Sequence, residues 1–212
     1  MFKAPAGGYD WNKEDDCRRF AREYVSRPRA EAVDVIALAN HNRAGPWIDY
    51  IRDASGDDLT VFPGVEITSG SGKDGIHLII IGDPDDDVAK FEALLSSTCG
   101  FNSDHPPLTG DGKPLSSPKS ALDILSALPD DVVVIAPHVL NDNGIASGNS
   151  IEGDLRWKLL HHSRIVLDPS SPADNSVVQT ICHKQRSAAR CATCHNYKET
   201  YDNHSSHNVL SI

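Results

Sequence analysis

The chain has 212 residues, 39% of them hydrophobic, and a formal net charge of −10, which suits one sizeable α/β domain and is short for two. The acidic balance argues against a broad basic face that grips a nucleic-acid backbone, although a nuclease stays open because bound divalent cations carry positive charge of their own. No run reaches the roughly 20 apolar residues of a membrane span, no basic-then-apolar leader opens the chain, and the cysteine count is odd, so a reduced, cytoplasmic protein with no membrane partner is expected.

In chain order, Asn12 and Asp15 read as a capping-box-like start to a helix that buries Cys17, Phe20, Ala21 and Tyr24, exposes Arg18, Arg19 and Arg22, and ends at Pro28. A strand at 33–38 leads into Ala39-Asn40-His41-Asn42. Gly45-Pro46 opens a helix near 46–54, followed by strands at 59–62 and 64–68 around Pro63-Gly64. The Gly/Ser-rich run 69–75 is a flexible turn before a strand at 76–82; its Lys73 lacks the spacing of a phosphate-binding loop.

Asp83-Pro84 predicts the start of a helix carrying Val88, Phe91, Leu94 and Leu95, and 99–116 reads as a long loop containing His105. Ser117-Pro118 predicts a cap for the next helix, through Leu122, Leu125 and Leu128. A strand at 132–136, an Asn/Gly-rich loop at 140–150, a helix near 151–162 and a strand at 164–168 complete the pattern. Continuous β-branched runs separated by helices predict βαβ units and strands covered on both faces. In such sheets the C-terminal strand ends face one site, which would gather His41, Glu66 and His138.

Glu66 stands out because an unpaired carboxylate between Val65 and Ile67 is costly to bury, so a cation or an arginine must answer it. His41 and His138 each follow an apolar strand, where a histidine is either a hydrogen-bonded structural residue or a metal ligand. His77 opens an apolar run and reads equally as a satisfied core histidine. His105 is a loop residue for which solvation is the simpler account.

The order strand-x-x-His41-Asn42, Pro63-Gly-Val-Glu66-Ile67, His77-Leu-Ile-Ile-Ile-Gly82 and Val134-Ile-Ala-Pro-His138 resembles the PHP (polymerase and histidinol phosphatase) family. Pro5-Ala-Gly-Gly8, Asn40 to Gly45 and Gly153-Asp-Leu-Arg-Trp157 are similar to the PHP domains at the N-terminus of ABC/SMC-type ATPases. The resemblance covers residues 1–168. It implies a distorted, incomplete (β/α)7 barrel, a metal-dependent phosphoesterase acting on a nucleotide, nucleic acid or small metabolite, and an ATPase partner. It also implies His41, Glu66, His77 and His138 as ligands of a divalent Zn, Mn or Fe site, with His41, Glu66 and His138 catalytic.

The chain departs from the family at Met1, Phe2 and Lys3, where members carry His-x-His, and at Asn40, where they carry Asp. The late Asp-x-His finds only Asp202-Asn203-His204. Fewer than three ions and an impaired enzyme are therefore expected, the alternative being an inactive PHP-like remnant or interaction domain. Residues 169–212 hold 3 of the 5 cysteines and 4 of the 10 histidines without apolar periodicity, so a disordered tail left by truncation or frameshift is expected there. Cys191-Ala-Thr-Cys194-His195 matches the c-type haem attachment pattern, and with Cys182, His183, His204 and His207 it offers opportunistic zinc ligands; unpaired tail residues are the simpler reading.

Overall fold

A computed structural model describes residues 8–140, 143–147 and 153–168. The expectations about Met1 to Lys3, and about the tail from 169 onward with its Cys/His motifs, lie outside the described residues. Within them the elements run α1 (Glu14–Ala30), β1 (Val35–His41), α2 (Trp47–Ser55), a 3-10 turn (Gly56–Asp58), β2 (Thr60–Ser69), β3 (Ile76–Ile81), α3 (Val88–Cys99), α4 (Ala121–Ala127), β4 (Val133–Ala136), α5 (Gly153–Leu160) and β5 (Ile165–Leu167). No described helix is long and apolar enough to cross a membrane.

The strands form one mixed sheet in the order β1-β2-β3-β4-β5. β1 and β2 are parallel, as are β4 and β5, while β3 runs antiparallel to both of its neighbours. The sheet is open among the described residues. The expected run of βαβ units fails at β2–β3, where six residues form the connection. So short a link closes a hairpin, whereas a parallel crossover needs a dozen residues or more. Gly75, at φ +83°, sits in that turn, and a Cβ there would lie 2.7 Å from the Ser69 carbonyl oxygen.

The two predicted strands around Pro63-Gly64 are one ten-residue strand. Gly64 lets it pass close to β1, since a Cβ there would meet the Leu38 carbonyl oxygen at 2.9 Å. Side chains alternate across a strand, so Ile36 and Leu38, Val65 and Ile67, Leu78 and Ile80, and Val134 and Ala136 enter the main core with α1 to α4. The opposite face carries a smaller apolar cluster, Ala37, Ile79, Ile81 and Ile135, with Ala39, Phe62 and Val166 against it. The continuous apolar runs are thus two interleaved sets, one for each face.

Helix boundaries shift for identifiable reasons. α1 has Lys13 at its N-cap with no side-chain cap bond, and it continues through Pro28 to Ala30, because a proline so near the end forfeits one N–H and leaves later amides their acceptors. Asp83 to Asp86 form a turn in which the Asp86 carboxylate accepts from the Asp83 N–H at 2.9 Å, and α3 is capped instead by Asp87. Ser117 donates its hydroxyl to the Cys99 carbonyl at 2.6 Å. It is therefore occupied, and the capping box of α4 is made by Ser120 and Asp123.

Candidate metal centre

The sheet register brings four residues from distant parts of the sequence to one edge. His41 ends β1 opposite Glu66 of β2, and Glu66 is paired with Ile79, two residues from His77 at the start of the antiparallel β3. By alternation His41, Glu66 and His77 share the face opposite the helices. His138 follows β4, which ends where β3 begins, and a left-handed backbone at φ +38° turns its ring back toward the others.

Glu66, His77 and His138 each direct one donor atom to a common point, all within 4.8 Å of one another. Glu66 Oε1 lies 2.6 Å from His77 Nδ1, His77 Nδ1 lies 3.1 Å from His138 Nε2, and His138 Nε2 lies 3.6 Å from Glu66 Oε1. His41 stands at the rim, with Nδ1 3.9 Å from the other carboxylate oxygen and its side chain 52% exposed against 17% for Glu66. The two oxygens of Glu66 therefore face different histidines.

Two loops hold this geometry. The His77 N–H donates to the Asn143 carbonyl at 3.0 Å, and the Asn143 amide donates to Asp74 O at 2.6 Å and Gly75 O at 3.2 Å. Gly144 passes so close to the His138 turn that a Cβ would sit 2.3 Å from the His138 carbonyl oxygen. The Asn/Gly-rich loop thus ties His138 to the head of β3.

Burial pushes the Glu66 carboxyl toward protonation, but hydrogen bonds from His138 and His77 and the charges of His77 and His41 outweigh it and hold the group well below the usual carboxylate range. The facing Glu66 carboxylate raises His138 above its ordinary value against the opposing effect of burial, and the charge of Asp168 adds to the rise. Asp168 follows β5, with its N–H on the Ala136 carbonyl at 2.9 Å. Sequence reading placed it in a strand without counting it toward the site; the strand-end argument used for His138 applies to it equally.

The donor set fits a small divalent cation. His77 Nδ1 carries at most one proton yet faces both a carboxylate oxygen and an imidazole nitrogen, so hydrogen bonding cannot answer every lone pair. A tetrahedral ion bound at about 2.0–2.1 Å separates its donors by about 3.3 Å, and the observed 2.6, 3.1 and 3.6 Å bracket that value. His138 Nδ1 is buried with no hydrogen-bond partner among the described residues, which leaves Nε2 as the nitrogen turned to the cluster. His105 is exposed, in a turn where its N–H donates to Asn102 Oδ1 at 3.0 Å, and it is not part of the converging group.

No family model matches the chain, and no curated protein sequence does. Among solved structures, the fold is similar to that of a Bifidobacterium adolescentis protein whose description as a metal-dependent phosphoesterase is itself provisional. The TM-score is 0.55 at 15% identity, covering 78% of each chain. At that identity the likeness is one of fold.

Proposed function

We propose that the chain is a metal-dependent phosphoesterase of PHP type, with residues 1–168 as its catalytic unit and the open sheet as part of a (β/α)7-type barrel. The observation that carries this reading is the convergence of Glu66, His77 and His138 at a sheet edge. The fold likeness supports it, as do the strand-end motifs around the same residues.

Glu66, His77 and His138 would hold a divalent Zn, Mn or Fe ion. Such an ion, when bound, acts as a Lewis acid and brings the pKa of a bound water toward neutrality. The protein's own share is electrostatic and positional. Glu66 stays ionised although largely buried, and the two strand-end imidazoles present ring nitrogens against it. His41, half exposed beside the second carboxylate oxygen, stands where a proton can be held or passed at the mouth of the site. The acidic charge of the whole chain favours a small phosphate ester over a long polyanion.

The test is metal analysis of protein purified without chelator, followed by hydrolysis of p-nitrophenyl phosphate and bis-p-nitrophenyl phosphate in Mn²⁺. At least one ion per chain and a Mn²⁺-dependent rate abolished by Glu66→Gln are expected. Metal binding with no hydrolysis of either ester would favour the noncatalytic interaction domain, and no bound metal would overturn the phosphoesterase reading and likewise leave the noncatalytic domain standing.

A further inference from the structure

The residue after His41 joins the metal centre to a part of the chain far away in sequence. Asn42 is buried and left-handed at φ +57°, a conformation that Asn, Asp and Gly adopt more readily than other residues. Its N–H donates to the Glu66 carbonyl at 3.0 Å. Its side-chain amide donates to Pro107 O at 2.8 Å and Leu115 O at 2.6 Å. With two carbonyls as partners, both amide protons are committed and the orientation of the group is fixed.

Pro107 and Leu115 form the neck of a hairpin that reads as an unstructured loop in the sequence. The Leu115 N–H bonds to the Pro107 carbonyl at 3.0 Å and the Thr109 N–H to the Lys113 carbonyl at 2.8 Å, and Leu108 bridges Pro114. Beyond the neck, the Ser117 N–H donates to the Thr68 carbonyl at 2.7 Å, so the chain continues along the end of β2. The hairpin hangs from the same short stretch of backbone that presents His41 and Glu66.

We infer that Asn42 is a positioning residue that couples the metal centre to the 107–115 hairpin, making that hairpin a substrate-facing wall of the site; this rests on the phosphoesterase reading above. Ordering Glu66 on an ion then steadies Asn42, whose N–H is bonded to the Glu66 carbonyl, and through its side-chain amide the hairpin. Asp at this position tolerates the same backbone and has nearly the same shape, but turns an acceptor toward two carbonyls. Asn42→Asp therefore removes the link and spares the turn.

The experiment is residue-resolved amide hydrogen exchange of the full chain with and without Mn²⁺, on wild type and Asn42→Asp, with Asn42→Gly as a second variant that keeps the backbone conformation. In wild type, Mn²⁺ should slow exchange at Thr109 and Leu115 by roughly tenfold or more. In both variants that slowing should vanish while the β2–β3 ladder at Val65 and Ile80 stays protected. With p-nitrophenyl phosphate, the variants should raise KM roughly tenfold and change kcat by less than about threefold, the signature of lost substrate positioning. Hairpin exchange in wild type that ignores Mn²⁺, or variants that keep the Mn²⁺ response, would overturn the coupling. A wild type that hydrolyses no ester would sink the phosphoesterase reading, while the exchange comparison would still decide the role of Asn42.

Discussion

A glutamate set between Val65 and Ile67 announces itself, because no buried carboxylate stays ionised without a partner, and Glu66 finds its partners in His77 and His138. Glu66→Gln keeps the shape but removes the charge, so Mn²⁺ or Zn²⁺ affinity should fall roughly a hundredfold or more, with His138→Ala close behind and His105→Ala without effect. Isothermal titration of the three variants gives the order, and equal affinities would dissolve the site. The pH dependence of the metal-free chain follows from the same contacts. The Glu66 carboxyl is depressed, so its stabilising contribution is present above its ordinary value of 4.5 and is lost as pH falls from there toward the folded value. His138 is raised, so its contribution is full below its ordinary value of 6.5 and is lost as pH rises through the folded value. Denaturant midpoints of the metal-free chain should therefore peak between those two values and flatten in Glu66→Gln. Metal affinity should run the other way on the alkaline side, rising by up to about tenfold per pH unit until His138 has lost its proton. At this scale the candidate ligands were legible because each interrupts or ends an apolar run. Asp168 ends such a run too and was open to the same argument; Asn42 was not, since what distinguishes it is a pair of partners more than sixty residues away.

The elements were legible where periodicity alone decides them, and illegible where a partner does. β3 and β4 appear in the sequence as apolar runs within one residue of their ends, and β1 within three. Their directions do not, because a run of isoleucines is the same in either sense, and the turn at 70–75 is what sends β3 back against β2. That reversal is why His77, at the beginning of its strand, meets Glu66 near the end of another. Cap positions were misplaced for a similar reason: Ser117 has the chemistry of a cap, but the Cys99 carbonyl claims its hydroxyl. The loop holding His138 offers the sharpest test at this scale. A methyl group at Gly144 would intrude on backbone oxygens of His138 and Val139 at 2.3 and 2.5 Å, atoms that cannot swing aside as a flexible side chain would. Gly144→Ala should therefore displace the His138 turn, lowering metal affinity roughly tenfold or more while the far-UV circular dichroism keeps its wild-type shape. Unchanged affinity would mean that the loop does not hold His138.

Across the whole molecule, the sheet has one face packed by α1 to α4 and one face that carries the candidate site beside a small apolar cluster. A parallel barrel predicted from alternating strands and helices would have given every strand the same sense; the open mixed sheet instead lets the start of β3 and the ends of β1, β2 and β4 supply one edge. β5 is stitched to β4 up to Leu167, with the Asp168 N–H closing the ladder on Ala136. Burial of apolar area is the dominant favourable term in folding, and the sequence from 169 onward has no apolar periodicity with which to add to it. A chain ending at Asp168 should accordingly keep the far-UV signal of the full chain, unfold with the same denaturant midpoint, and bind Mn²⁺ with unchanged affinity. Limited proteolysis of the full chain should cut first between 169 and 185 and leave that same core. A truncated chain that loses metal affinity but stays folded would place ligands among the tail histidines, and one that fails to fold would mean that residues beyond 168 complete the packing of the site-bearing face.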